Sequence, residues 1–128
     1  MPKARAERPV TLPLLKLRLP LAGWVSLLHR ISGVLLFFSL PLALYAFEQS
    51  LLGPESFERI RQQLMQPMAR IALLLVVWAL AHHLFAGIRH LLLDLHWGTS
   101  LHAARRSALG VAISGVLVAV ITAWRLCA

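Results

Sequence analysis

Three stretches without a formally charged residue, Ile31 to Phe47, Ile71 to Ile88 and Ser107 to Trp124, constrain this chain more than any other feature. Each is fenced by charge: Arg30 and Glu48, Arg70 and Arg89, Arg106 and Arg125. Each approaches the ~20 residues that cross ~30 Å of hydrocarbon at a rise of about 1.5 Å per residue. Inside a bilayer the backbone must satisfy its own hydrogen bonds, so runs of this kind become helices. The expected fold is all-α, a single domain over residues 1–128 with transmembrane helices at approximately 22–50, 67–94 and 105–126. The first span starts ahead of its uncharged run because Leu21 to Leu28 is also apolar and Pro20 suits a helix start.

Composition agrees. Hydrophobic residues make up 59% of the chain and charged residues only 14%, against roughly 25% charged in soluble domains. The formal net charge of +8 does not point to nucleic acid, because the basic residues flank apolar runs instead of forming a soluble basic face. Lys3, Arg5, Arg8, Lys16, Arg18 and Arg30 precede or open the first span, and Arg89, Arg105 and Arg106 gather around the second connection. In the loop after span one, Arg59 and Arg61 are offset by Glu55 and Glu58. That asymmetry predicts a cytoplasmic N-terminus and a C-terminus on the opposite side. No cleaved signal peptide is expected, since a long polar lead precedes the first apolar run. The lone Cys127 carries no information about disulfides.

Between spans one and two, Gly53-Pro54-Glu55 predicts a turn followed by a short surface helix, and Pro41 is expected to kink span one. In span three, Gly110 and Ser114, then Ala119 and Ala123, follow the small-residue spacing by which membrane helices approach one another.

The chemistry concentrates in two places. On a helix of 3.6 residues per turn, His83, Gly87 and His90 lie at i, i+4 and i+7 on one face, while His82 points about 100° away. A neutral imidazole is a good axial ligand for haem iron, and a glycine one turn along makes room for a porphyrin. Arg89 and His90, nearer the surface, suit propionates or anionic lipid. The competing structural role is equally open at this level: membrane histidines also hydrogen-bond between helices, and glycines also pack. A bis-histidine haem needs two ligands, and adjacent His82 and His83 diverge, so any second ligand comes from another chain. The second place is Ser26-Leu27-Leu28-His29-Arg30, followed by Ser32-Gly33. Ser26 and Arg30 share a helix face at the bilayer edge, where hydroxyl and guanidinium donors can orient a quinone carbonyl and give it access to protons. Equally, Arg30 can anchor the span and Ser26 can bond its own backbone.

Taken together, Arg8-Pro9-Val10, the segment from Ser26 to Gly33, and His83-x-x-x-Gly87-Ile88-Arg89-His90-Leu91 through to Asp94 resemble the cytochrome b556 membrane-anchor subunits of succinate dehydrogenase over nearly the whole chain. The resemblance implies a b-type haem shared with a second small membrane-anchor subunit, with His83 as one axial ligand to the iron and His29, Arg30, Gly87 and His90 in the haem environment. It also implies a ubiquinone site at Ser26 and Arg30, and part of a heteromeric helix bundle in the inner (cytoplasmic) membrane of a bacterial-type cell, its C-terminus periplasmic. Flavoprotein and iron-sulfur partners would oxidise succinate and pass the electrons on, leaving no flavin or succinate site on this chain. The chain departs from the family pattern at Asp94, where Leu95-His96-Trp97 intervenes before Gly98, and in its additional His82. Readings from other classes are a haem-free scaffold or assembly protein, a fumarate reductase anchor, and a small oligomeric transporter.

Overall fold

A computed structural model describes residues 19–127. Four helices follow in order, α1 (Leu21–Leu51), α2 (Pro54–Leu64), α3 (Pro67–Asp94) and α4 (Leu101–Cys127). Three of them, α1, α3 and α4, are long and apolar enough to cross a membrane. The basic residues ahead of Leu19, and with them Arg8-Pro9-Val10, lie outside the described residues.

Local chemistry explains the boundaries. Pro20 caps α1, its carbonyl accepting from the amides of Gly23 and Trp24. The helix then runs unbroken through Pro41. Gly53, at φ 141°, makes the corner that only glycine adopts freely, and Pro54 follows in the first turn of α2. Pro67 likewise opens α3. The fourth helix starts at Leu101, ahead of the 105 expected from the apolar run. Hydrophobicity marks the part that sits in lipid, whereas the helix start is set by the capping Ser100, whose Oγ and carbonyl accept from the amides of Ala103 and Ala104.

Helix α3 is the centre of the bundle, packed against both α1 and α4. The innermost residues are small: Ala79, Ala86 and Ala108 are fully buried beside Val25 and Val111. Small side chains let backbones approach where lipid supplies no hydrophobic drive between helices. On α4 the close contact is made by Ala108, Val111 and Gly115; a Cβ at Gly115 would meet the rings of Trp78 and His82 at 3.5 and 3.6 Å. Gly110 takes no part, since a Cβ there would meet nothing within 4 Å. Most large apolar side chains face outward, Phe37, Phe38 and Leu42 among them, as suits a lipid or partner surface.

The short helix α2 carries the opposite chemistry. Arg61 grips Glu58 with two hydrogen bonds of 2.8 Å, and Gln62 adds a third. The Arg61 and then the Gln62 hydrogen bonds pull the exposed Glu58 carboxyl down to about 2.

Candidate functional site

Helix α3 presents two polar stripes. His83, Gly87 and His90 line the α1 seam, whereas His82, Ala86 and Arg89 are buried in the interior where α1 and α4 meet α3, Arg89 bonding to α4. Both stripes repeat at i, i+4 and i+7, so one helix serves two neighbours.

Along the α1 seam the residues interlock. The imidazoles of His29 and His83 stack with centroids 4.2 Å apart and planes 16° from parallel, and His90 lies on the far side of His29 at 4.9 Å. His83 Nδ1 sits 3.1 Å from the His29 carbonyl oxygen and 3.4 Å from Ser32 Oγ. A carbonyl can only accept, so Nδ1 carries the proton and donates it. That fixes the tautomer and leaves Nε2 with its lone pair free, with no hydrogen bond among the described residues.

His83 lines an outward-opening groove of about 490 Å³ with His29, Arg30, Gly33, Val34, Phe37 and Phe38. Gly33 is essential to that shape, because a Cβ there would lie 3.0 Å from His83 Cε1. Gly87 gives its room to the His29 ring, whose Nε2 is 3.5 Å from where a Cβ would stand. The fully buried Ser32 donates to the His29 carbonyl at 2.9 Å, and its oxygen also lies beside His83 Nδ1. Ser32 and Gly33 were visible in the sequence as part of the first motif, but nothing local showed that they brace a ring on another helix.

His29 cannot act with His83 on one metal ion. Their rings are stacked, and the nitrogen lone pairs lie in the ring planes and do not converge. Among the described residues no group of three His, Cys, Asp or Glu side chains is arranged to hold an ion. What His83 has available is a single ring nitrogen with a free lone pair, on a residue that borders an apolar groove.

Ser26 is half-buried, its hydroxyl 3.5 Å from His90 Nε2. Arg30 is exposed and lines the groove. His90 Nδ1 is buried without a hydrogen-bond partner. These groups form a polar line from the beginning of α1 into the bundle. The extra histidine stands apart: His82 is buried, its Nε2 lies 3.3 Å from the Val25 carbonyl and its ring stacks on Trp78. Arg89 also leaves the α1 face. Expected with His90 at propionates or anionic lipid, it parts from His90 and turns to α4, where Nε donates to Ser107 Oγ at 3.0 Å and Nη2 to the Ala104 carbonyl at 3.2 Å. One residue along a helix is a turn of about 100°, enough to move a side chain from one neighbour to the other.

Three spanning helices around a buried polar seam define the class: a small multi-pass membrane protein. Residues 4–123 match the model of the succinate dehydrogenase/fumarate reductase transmembrane subunit family, and the chain belongs to that family. Among curated relatives, the succinate dehydrogenase cytochrome b556 subunit of Coxiella burnetii is 37% identical, over 91% of this chain and 94% of its own length. The subunit of the same name from Paracoccus denitrificans is 31% identical over 92% of this chain and 91% of its own. The one from Rickettsia bellii is 30% identical over 90% of each.

Proposed function

We propose that this chain is the cytochrome b556-type membrane anchor of a succinate dehydrogenase, with His83 as one axial ligand of a b-type haem and Ser26 and Arg30 at a ubiquinone site. The observation that carries this reading is the His83 ring itself, oriented by the His29 carbonyl with Nε2 left free on an apolar groove. A ligating histidine ordinarily donates its other nitrogen in this way, which fixes the ring and raises its basicity. Val34, Phe37 and Phe38 offer apolar walls for a macrocycle, and Gly33 leaves it room. Bound there, the haem supplies a one-electron carrier within the membrane. The exposed side of α1 around Phe37 and Phe38 suits a second anchor subunit that brings the other ligand.

At the quinone, the chain's own residues orient and protonate. Ser26 donates a hydrogen bond to one quinone carbonyl, and His90, next to its hydroxyl, is placed to resupply the proton. Arg30 holds an oxygen of the ring or a propionate as a charged donor. Reduction to quinol takes two electrons, drawn from succinate through the flavoprotein and iron-sulfur partners, and two protons from water at the membrane surface. The family's joint name leaves operation as a fumarate reductase anchor as the second reading. The start of α1, the end of α3 and the start of α4 gather at one end of the bundle, joined by Ser26 to His90 and Arg89 to Ala104. With the basic residues there, this supports a cytoplasmic placement of that end in a bacterial inner membrane, with the C-terminus periplasmic.

The test is a dithionite-reduced minus oxidised visible spectrum of the purified complex, with and without His83→Ala. Loss of the b-type bands from an otherwise assembled complex is expected; their survival would remove His83 as ligand. For the quinone site, Ser26→Ala and Arg30→Ala should suppress quinone reduction while succinate oxidation by a water-soluble acceptor continues. Equal loss of both activities would assign these residues to assembly instead.

A further inference from the structure

Arg89 is only 7% exposed, yet among the described residues it has no counter-charge. Its partners, the Ser107 hydroxyl and the Ala104 carbonyl, are neutral, and the one ion pair among those residues lies far away on α2. Nη1 makes no hydrogen bond there. A guanidinium held between membrane helices without an anion is costly, and such a group ordinarily finds one.

The space for an anion is present. Arg89 lines a cleft of about 410 Å³ between α3 and α4, walled by Phe85, Leu92 and Val111 and edged by Ser107 and Ser114. Gly110 keeps the cleft open on the α4 side, where an added Cβ would touch nothing. From Pro67 to the end of α4 the only acidic residue is the exposed Asp94, while Arg105 and Arg106 stand exposed at the same end. Trp97, also on the cleft, is 69% exposed, as befits an indole at headgroup level.

We infer that this cleft binds an anionic phospholipid, its phosphate on Arg89 and the upper part of one acyl chain along Phe85 and Val111. The charge selects an anion, and the apolar walls select one that carries a hydrocarbon chain over free phosphate. The site lies on the opposite stripe of α3 from His83 and does not depend on the haem reading.

The experiment uses the purified complex in nanodiscs containing phosphatidylglycerol and phosphatidylcholine, with retained lipids counted by native mass spectrometry. Arg89→Gln removes the charge, and Gly110→Leu fills the cleft from a position without neighbours. An Arg105→Gln/Arg106→Gln double variant controls for surface charge. Wild type and the double variant should each retain one phosphatidylglycerol whose occupancy falls about ten-fold or more in the other two variants. Inorganic phosphate should not displace it. Should Arg89→Gln fail to assemble, Gly110→Leu decides alone. Equal phosphatidylglycerol retention in wild type and Gly110→Leu, retention of phosphatidylcholine as strongly, or displacement by inorganic phosphate would overturn the proposal. So would release of a partner subunit by Gly110→Leu, which would make the cleft a seat for a protein helix.

Discussion

The two stripes of α3 carry the same kinds of residue and put them to different use. On the α1 side, His83 is braced at one nitrogen and free at the other, beside an open groove. In the interior, where α1, α3 and α4 meet, His82 is buried, bonded to the Val25 carbonyl and stacked on Trp78. Each histidine thus gives one nitrogen to an α1 carbonyl and keeps a lone pair on the other; they differ in burial, His82 being sealed in the interior and His83 bordering an open groove. Residue type marks where chemistry is possible, and the neighbouring helix decides whether it is available.

The sharpest way to break this contrast is to exchange the two histidines' fates. His83→Ala is expected to abolish the b-type absorbance, while His82→Ala retains it and lowers stability by about 2–3 kcal/mol through a lost buried hydrogen bond and a cavity. The opposite pattern in the reduced-minus-oxidised spectrum would reverse the assignment. Next in size is Gly33→Val. Even its Cβ comes within 3.0 Å of His83 Cε1, so the ring must move and haem content should fall several-fold, whereas Gly110→Ala leaves it unchanged. Equal haem content in both variants would mean that the groove tolerates a displaced ring.

Ser32→Ala removes one of two groups beside His83 Nδ1 and should cost about 1 kcal/mol, seen as roughly five-fold faster haem loss during detergent dilution. Unchanged retention would leave the His29 carbonyl as the sole brace. Smallest of all is Glu58→Gln on α2. Its carboxyl is held down at about 2, against an ordinary value of 4.5, so the ion pair's contribution is complete above about 4.5 and disappears only as pH falls through about 2. Thermal stability at neutral pH should hardly change, because exposed pairs contribute little. A large drop would mean that α2 contacts a partner.

Much of the site is legible in the sequence. The i, i+4, i+7 spacing of His83, Gly87 and His90 put them on one face, and the structure sets all three against His29. Ser26, His29 and Arg30 were legible as a polar segment at the head of α1. Two features were not. Periodicity gave the angle between Arg89 and His90 without saying which neighbour each would meet. Gly110 and Ser114 matched a packing pattern, yet the packing falls on Ala108, Val111 and Gly115, because α4 is rotated to set those residues against the bundle.

By itself the chain determined three spanning helices, their approximate limits and the relative angles of their polar residues. Hydrophobic length and helical period are local properties, and an apolar run of this length satisfies its own backbone in a bilayer only as a helix. Only the tertiary structure decided that Ser32 and the His29 carbonyl hold His83, that His82 is sealed away and that Arg89 faces a cleft without a counter-charge. Each of those depends on the rotation and depth at which α1 and α4 meet α3. Contacts between small residues far apart in sequence set both, and no single helix encodes them.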